Sequence, residues 1–201
     1  QTKLATPKAG GTYTITIKQG LETKTISNVL IGEVWLCSGQ SNMEMPLKGF
    51  PGQPVIGGND AIVRSSNKNI RLITVPRAIV LEPKEDFEGH WEVAGPQTTG
   101  GFSATAWYFG SLLQEVLQVP VGLIHVSYGG SNVEAWMNEE MLEDFDNTLP
   151  LPKTENDLKS NPNRVPTTLF NGMLSPVIGY GIKGAIWYQG ESNYERPFEY
   201  K

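Results

Sequence analysis

The sequence is poor in several things that each exclude a class of protein. It has one cysteine, Cys37, in 201 residues, so no disulfide can form within the chain. Histidine occurs twice, at His90 and His125. The acidic set Glu139, Glu140, Glu143 and Asp144 lacks metal-ligand spacing and reads as a solvated helix face, and neither metal nor cofactor is expected. Net charge is −5 with no basic run, which argues against nucleic acid as a partner. No apolar run is long enough to span a bilayer, and no phosphate-binding glycine pattern or internal repeat occurs. What remains is ordinary for a folded globular chain: 39% hydrophobic and 18% charged residues, with 22 glycines and 14 prolines that suit loops on a rigid scaffold.

The most informative segment is Gly32 to Met43, GEVWLCSGQSNM. Val34 to Cys37 is a short apolar run of strand type. It breaks into Ser-Gly-Gln-Ser-Asn, where a strand can turn sharply into a helix. A serine on such a turn, Ser41, presents its hydroxyl beside free backbone N–H groups, as an acyl-transfer nucleophile requires. A plain N-cap reads equally well from this segment alone.

Two later segments share the pattern. Val121 to Ser127 is a buried-strand run that enters Tyr128-Gly129-Gly130-Ser131, with Ser131 and Glu134 spaced as a capping box. Gly184 to Gln189 is a third strand, ending in Gln189-Gly190-Glu191-Ser192-Asn193. In an open parallel sheet the carboxyl ends of such strands line one crevice, which would gather Ser41, the Gly129–Gly130 turn and the Gln189 loop.

These three segments, GEVWLCSGQSNMEMPL, GLIHVSYGGSNVEAWM and LFNGMLSPVIGYGIKGAIWYQGESN, resemble the first three blocks of the SGNH (GDSL-like) hydrolases, and most of all the sialate O-acetylesterase group of carbohydrate acetylesterases. The resemblance runs from about Gly10 to the end of the chain. It implies an α/β fold, a three-layer α/β/α domain with a mainly parallel sheet. It makes Ser41 the catalytic nucleophile, with Gly129 or Gly130 and the amide of Gln189 or Asn193 completing the oxyanion hole. Gln189 is favoured because it ends its strand; Asn193 also fits a cap or turn, and Glu191 a buried ion-pair partner that fixes the loop. The implied substrate is an O-acetylated carbohydrate, sialic acid first. An acetylxylan-type esterase and a non-catalytic carbohydrate-binding domain are the alternatives.

The family's Asp and His pair has no counterpart here. His125 lies within a strand between Ile124 and Val126 and reads as a core histidine; His90 reads as a loop residue. The chain is therefore expected to be a fragment, with the C-terminal part of the same protein supplying the base. Residues 1–29 are expected to be the last strands of a preceding β-rich domain and 30–201 the hydrolase domain. A secreted or periplasmic setting is expected, although no signal peptide is visible.

Local patterns predict a hairpin, with Gly11–Lys18 alternating and Gln19-Gly20 turning. They predict strands at 70–75 and 78–81, a helix from Ser103 to Val119 with an apolar face that includes Leu112 and Val116, and a second helix over 132–145. Met43–Asp60 and Asp146–Pro166 read as loops. Cys37 reads as a buried small hydrophobe. The tryptophans read mainly as core, with Trp136 or Tyr128 the candidates to touch substrate.

Overall fold

The computed structural model describes residues 5–145 and 150–196. A five-stranded sheet runs in the order β5-β4-β6-β3-β7. Its members are β3 (Glu33–Gly39), β4 (Asn67–Thr74), β5 (Glu92–Ala94), β6 (Val121–Ser127) and β7 (Gly184–Tyr188). Pairings of β4 with β6, β6 with β3 and β3 with β7 are parallel; only the short β5 is antiparallel. The register sets Gly39 opposite both Ser127 and Tyr188. The three strands singled out in the sequence therefore end side by side at one edge of the sheet.

Successive side chains of a strand point to opposite faces, so a sheet covered on both sides needs two apolar sets. Ile70 and Leu72 of β4 and Val121 and Leu123 of β6 pack on one face with Ala106 and Trp107; Ile73, Ile124 and Val126 pack on the other with Trp136, Leu169 and Met173. This is the layered α/β architecture expected. The first face is covered by α3 (Ala104–Leu117), capped by Ser103, whose Oγ accepts from the Ala106 N–H at 3.1 Å. Its end is set by Gln118 in the left-handed region, ahead of Pro120.

Several local expectations are corrected. Leu112 and Val116 face solvent, and the buried stripe of α3 is Ala104, Ala106, Trp107, Gly110 and Gln114. Residues 78–81 form no strand. The stretch 132–145 is not one helix: a single turn spans Val133–Trp136, and a short α4 (Glu139–Leu142) follows it. The 43–60 stretch is not all loop, since it holds the end of α1 (Ser41–Glu44) and the start of α2 (Gly58–Val63). Within the 146–166 segment, residues 146–149 lie outside the described residues.

β1 (Gly10–Gln19) and β2 (Glu22–Ile31) form the expected hairpin. Most of its residues are exposed. It meets the main sheet at the end opposite Ser41, where Arg71 donates to Asn28 Oδ1 at 3.0 Å. A cavity of about 410 Å³ there is lined by Ile15, Val29, Arg71, Trp91 and Tyr180 among others.

Candidate active site

Ser41 opens α1, with Gln40 alone between it and the end of β3, and is exposed. Two residues fix this turn. Gly39 has φ +145°, and a methyl group added to it would stand 2.1 Å from the Tyr188 carbonyl oxygen, so only glycine lets β3 and β7 approach this closely. Gln40 is buried; its N–H donates to Tyr188 O at 2.9 Å, and its side-chain Oε1 accepts from the N–H groups of Gly190 and Ser192, both at 3.3 Å. Gln40 thus ties the nucleophile turn to the third block.

The second block lies against Ser41. A methyl group placed on Gly129 would sit 3.7 Å from both Cα and Cβ of Ser41. Within the turn, the Tyr128 N–H donates to Gly39 O at 3.1 Å and the Gly129 N–H to Glu44 Oε2 at 2.9 Å. The carbonyls point to the segment before the third block: Asn163 Nδ2 donates to Gly129 O at 3.0 Å and Arg164 Nε to Gly130 O at 3.1 Å. Glu44 also accepts from Arg77 Nε at 2.9 Å, and the Arg77 guanidinium carbon lies 4.3 Å from the centre of the Tyr128 ring, a cation–π distance.

The third-block amides are placed differently from expectation. Gln189 Nε2 donates to Ser131 O at 3.0 Å and to Asn193 Oδ1 at 2.8 Å. An amide nitrogen carries two hydrogens, and both are spent on these acceptors rather than turned to an oxyanion. Asn193 is buried. Its Oδ1 also accepts from the Val133 N–H at 2.9 Å, and its Nδ2 donates to Glu134 Oε2 at 2.9 Å. Glu134, itself buried, is in turn paired with Arg196. Asn193 is therefore a brace between the second and third blocks. Glu191 is exposed rather than in a buried ion pair; it accepts from Asn42 Nδ2.

The predicted capping box does not form either. Ser131 Oγ accepts from Trp136 Nε1 at 2.8 Å, and Glu134 is drawn to Asn193 and Arg196. Trp136 is buried edge-on to Trp187, with ring centres 6.0 Å apart, so it packs the site from behind; Tyr128 lies under Arg77.

Neither histidine is hydrogen-bonded to Ser41. His125 is buried, with Nε2 2.5 Å from Ser127 Oγ and Nδ1 3.5 Å from Thr74 Oγ1, and burial pushes its pKa down to about 4. His90 is exposed beside Glu92 at 3.8 Å. Among the described residues no group of His, Cys, Asp and Glu side chains is placed to hold a metal ion, and no helix is long and apolar enough to cross a membrane.

The segments singled out in the sequence, Ser41, the glycine turn and the Gln189 loop, follow adjacent strand ends. Sequence reasoning missed Gln40, Glu44, Arg77 and Arg164, whose partners lie far away along the chain. An acidic residue at Glu44, one turn after a candidate nucleophile, was the only local signal.

Comparison with known proteins places the chain in a family. Residues 31–201 match the profile of the carbohydrate esterase, sialic acid-specific acetylesterase family. The chain is 33% identical to the sialate O-acetylesterases of Pongo abelii and Homo sapiens, over 92% of this chain and 37% of each relative, and 30% identical to that of Rattus norvegicus, over 92% of this chain and 40% of the relative. It thus spans well under half the length of the relatives it matches. A crystal structure of a carbohydrate acetylesterase from Xanthomonas citri superposes with a TM-score of 0.81 at 32% identity, covering 94% of this chain and 40% of that one. The chain belongs to the sialic acid-specific acetylesterase family of carbohydrate esterases.

Proposed function

We propose that the protein carrying this chain is a serine esterase that removes O-acetyl groups from carbohydrate, with acetylated sialic acid as substrate. The observation that carries this reading is the exposed Ser41 just past the end of β3, with the Gly129 turn so near that a methyl group added to Gly129 would stand 3.7 Å from the Ser41 Cα. Ser41 Oγ attacks the acetyl carbonyl. The developing oxyanion is held by the Ser41 N–H, which as the first of a helix has no intrahelical partner, and by an N–H of the glycine turn. Gln189 and Asn193 hold the wall of the site through Ser131 and Val133. Alcohol leaves, and water releases acetate from the acyl-enzyme.

A serine hydroxyl needs a base to react near neutrality. His125 is spent on Ser127 and Thr74, so we assign that role to a histidine from the remainder of a longer protein, in keeping with the length of the relatives. The neighbour is a carbohydrate acetylesterase, a class wide enough for a second reading, an acetylxylan-type esterase.

The test is acetate release by the full-length protein from O-acetylated sialic acid and from acetylated xylan, alongside a Ser41→Ala variant. Release from the sialic acid ester, reduced by at least about 10³-fold in the variant, is expected. Release from xylan alone selects the second reading. Unchanged activity in Ser41→Ala, or sugar binding with no acetate released, overturns the esterase assignment.

A further inference from the structure

We propose that Glu44 is a positioning residue of this site: it removes the Gly129 N–H from the set of oxyanion donors and pins the Tyr128–Gly130 turn against Ser41, leaving the Gly130 N–H as the donor that the turn supplies. The inference rests on the esterase reading above.

Three N–H groups are in question. The Tyr128 N–H is used by Gly39 O, and the Gly129 N–H by Glu44 Oε2. The Gly130 N–H has no acceptor among the described residues. A bond from an amide to a carboxylate is charge-assisted and stronger than a neutral one. Here the carboxylate is held from its other side as well, since Oε1 accepts from both Nε and a terminal nitrogen of Arg77. With a side-chain exposure of 14%, Glu44 has little water to compete for these bonds. A donor locked in this way has no hydrogen left for a substrate oxygen.

The same carboxylate sets geometry. Glu44 is on α1 with Ser41, so it moves with the nucleophile. Through Gly129 it holds the backbone of the turn, and through Arg77 it holds the guanidinium over the ring of the preceding residue, Tyr128. A methyl group on Gly129 would lie 2.7 Å from Glu44 Oε2, which shows how tightly the carboxylate covers that side. The spacing between nucleophile and turn therefore depends on one side chain that touches no substrate.

The experiment uses the full-length protein with p-nitrophenyl acetate, a substrate without sugar contacts, and the variants Glu44→Gln, Glu44→Ala and Ser41→Ala. A misplacement of about 1 Å costs roughly 10²-fold in rate, so Glu44→Ala should lose about that in kcat with KM little changed. Glu44→Gln keeps the shape and an acceptor for Gly129 but loses the ion pair with Arg77, and should fall between. Wild-type kcat in both variants, or a raised KM at unchanged kcat, overturns the proposal. A second readout is independent of turnover. In protein labelled with ¹⁵N-glycine, reaction of Ser41 with a fluorophosphonate should move the Gly130 amide proton downfield and leave Gly129 in place; the reverse overturns the assignment. If the unaltered protein releases no acetate, or Ser41→Ala matches it, the esterase reading has failed rather than the role of Glu44.

Discussion

His125 Nε2 and Ser127 Oγ stand 2.5 Å apart, two residues from one another on the same face of β6. The pair lies in the interior, with Phe102 set edge-on to the imidazole at 5.4 Å between ring centres. One of the two histidines of the sequence is thus a core residue whose ring is neutral and engaged.

That environment makes stability fall in acid. The folded-state pKa of His125 is about 4, below the ordinary 6.5, chiefly because burial disfavours the charged ring. Above pH 6.5 the group is neutral in both states and contributes no slope. As pH falls from 6.5 towards 4 the unfolded chain binds a proton that the folded one refuses. Stability is lost across that window, by about 3 kcal/mol in total. Denaturant unfolding at successive pH values should show this slope, and His125→Gln should lack it. An equal slope in the variant would assign the loss to other groups.

Gly39→Ala should cost about 2–4 kcal/mol, a value typical of strain at a special backbone position. Its φ of +145° disfavours any side chain, and the new methyl would collide with Tyr188 O. The shift in denaturation midpoint measures it. Wild-type stability would mean that β3 and β7 can part without penalty, and with them the turn before Ser41.

Asn193→Ala should be comparably damaging, again about 2–4 kcal/mol, because it strands the Val133 N–H and one oxygen of buried Glu134. Asn193→Asp should be no better near neutrality, since it sets a second carboxylate against Glu134. Thermal unfolding of both variants decides the matter: if Asp matches the parent, the Nδ2 bond to Glu134 carries little.

Cys37 should resist thiol reagents in the folded protein. It is fully buried, and burial pushes its pKa up to about 12, so the reactive thiolate is scarce. Labelling by a disulfide reagent should follow unfolding, and rapid labelling under native conditions would show that β3 opens readily.

The parts that the sequence made legible are those set by local pattern. The apolar runs at Val34–Cys37, Val121–Val126 and Gly184–Tyr188, each stopping at polar residues, mark the three adjacent strands β3, β6 and β7 that end side by side. Ser103 and Pro120 bounded α3 closely. What failed was decided by distant partners. Ser131 and Glu134 have the spacing of a capping box, yet Trp136, Asn193 and Arg196 take their side chains and leave a single turn where a helix was expected. Gln189 does end its strand, but Ser131 and Asn193 claim its amide. The bond from Glu44 to Gly129 spans 85 residues, so no window along the chain contains both. β5, with three residues, is too short to carry a periodic signal.

The hairpin of β1 and β2 is mostly exposed and pairs chiefly with itself. Its ladder can therefore open without disturbing the five-stranded sheet. Amide hydrogens in β1 should exchange with solvent on a fast clock set by that local opening, while those of β3 and β6 wait for the whole domain to unfold. The molecule thus has two tiers of protection, and Ser41 is mounted on the slower one.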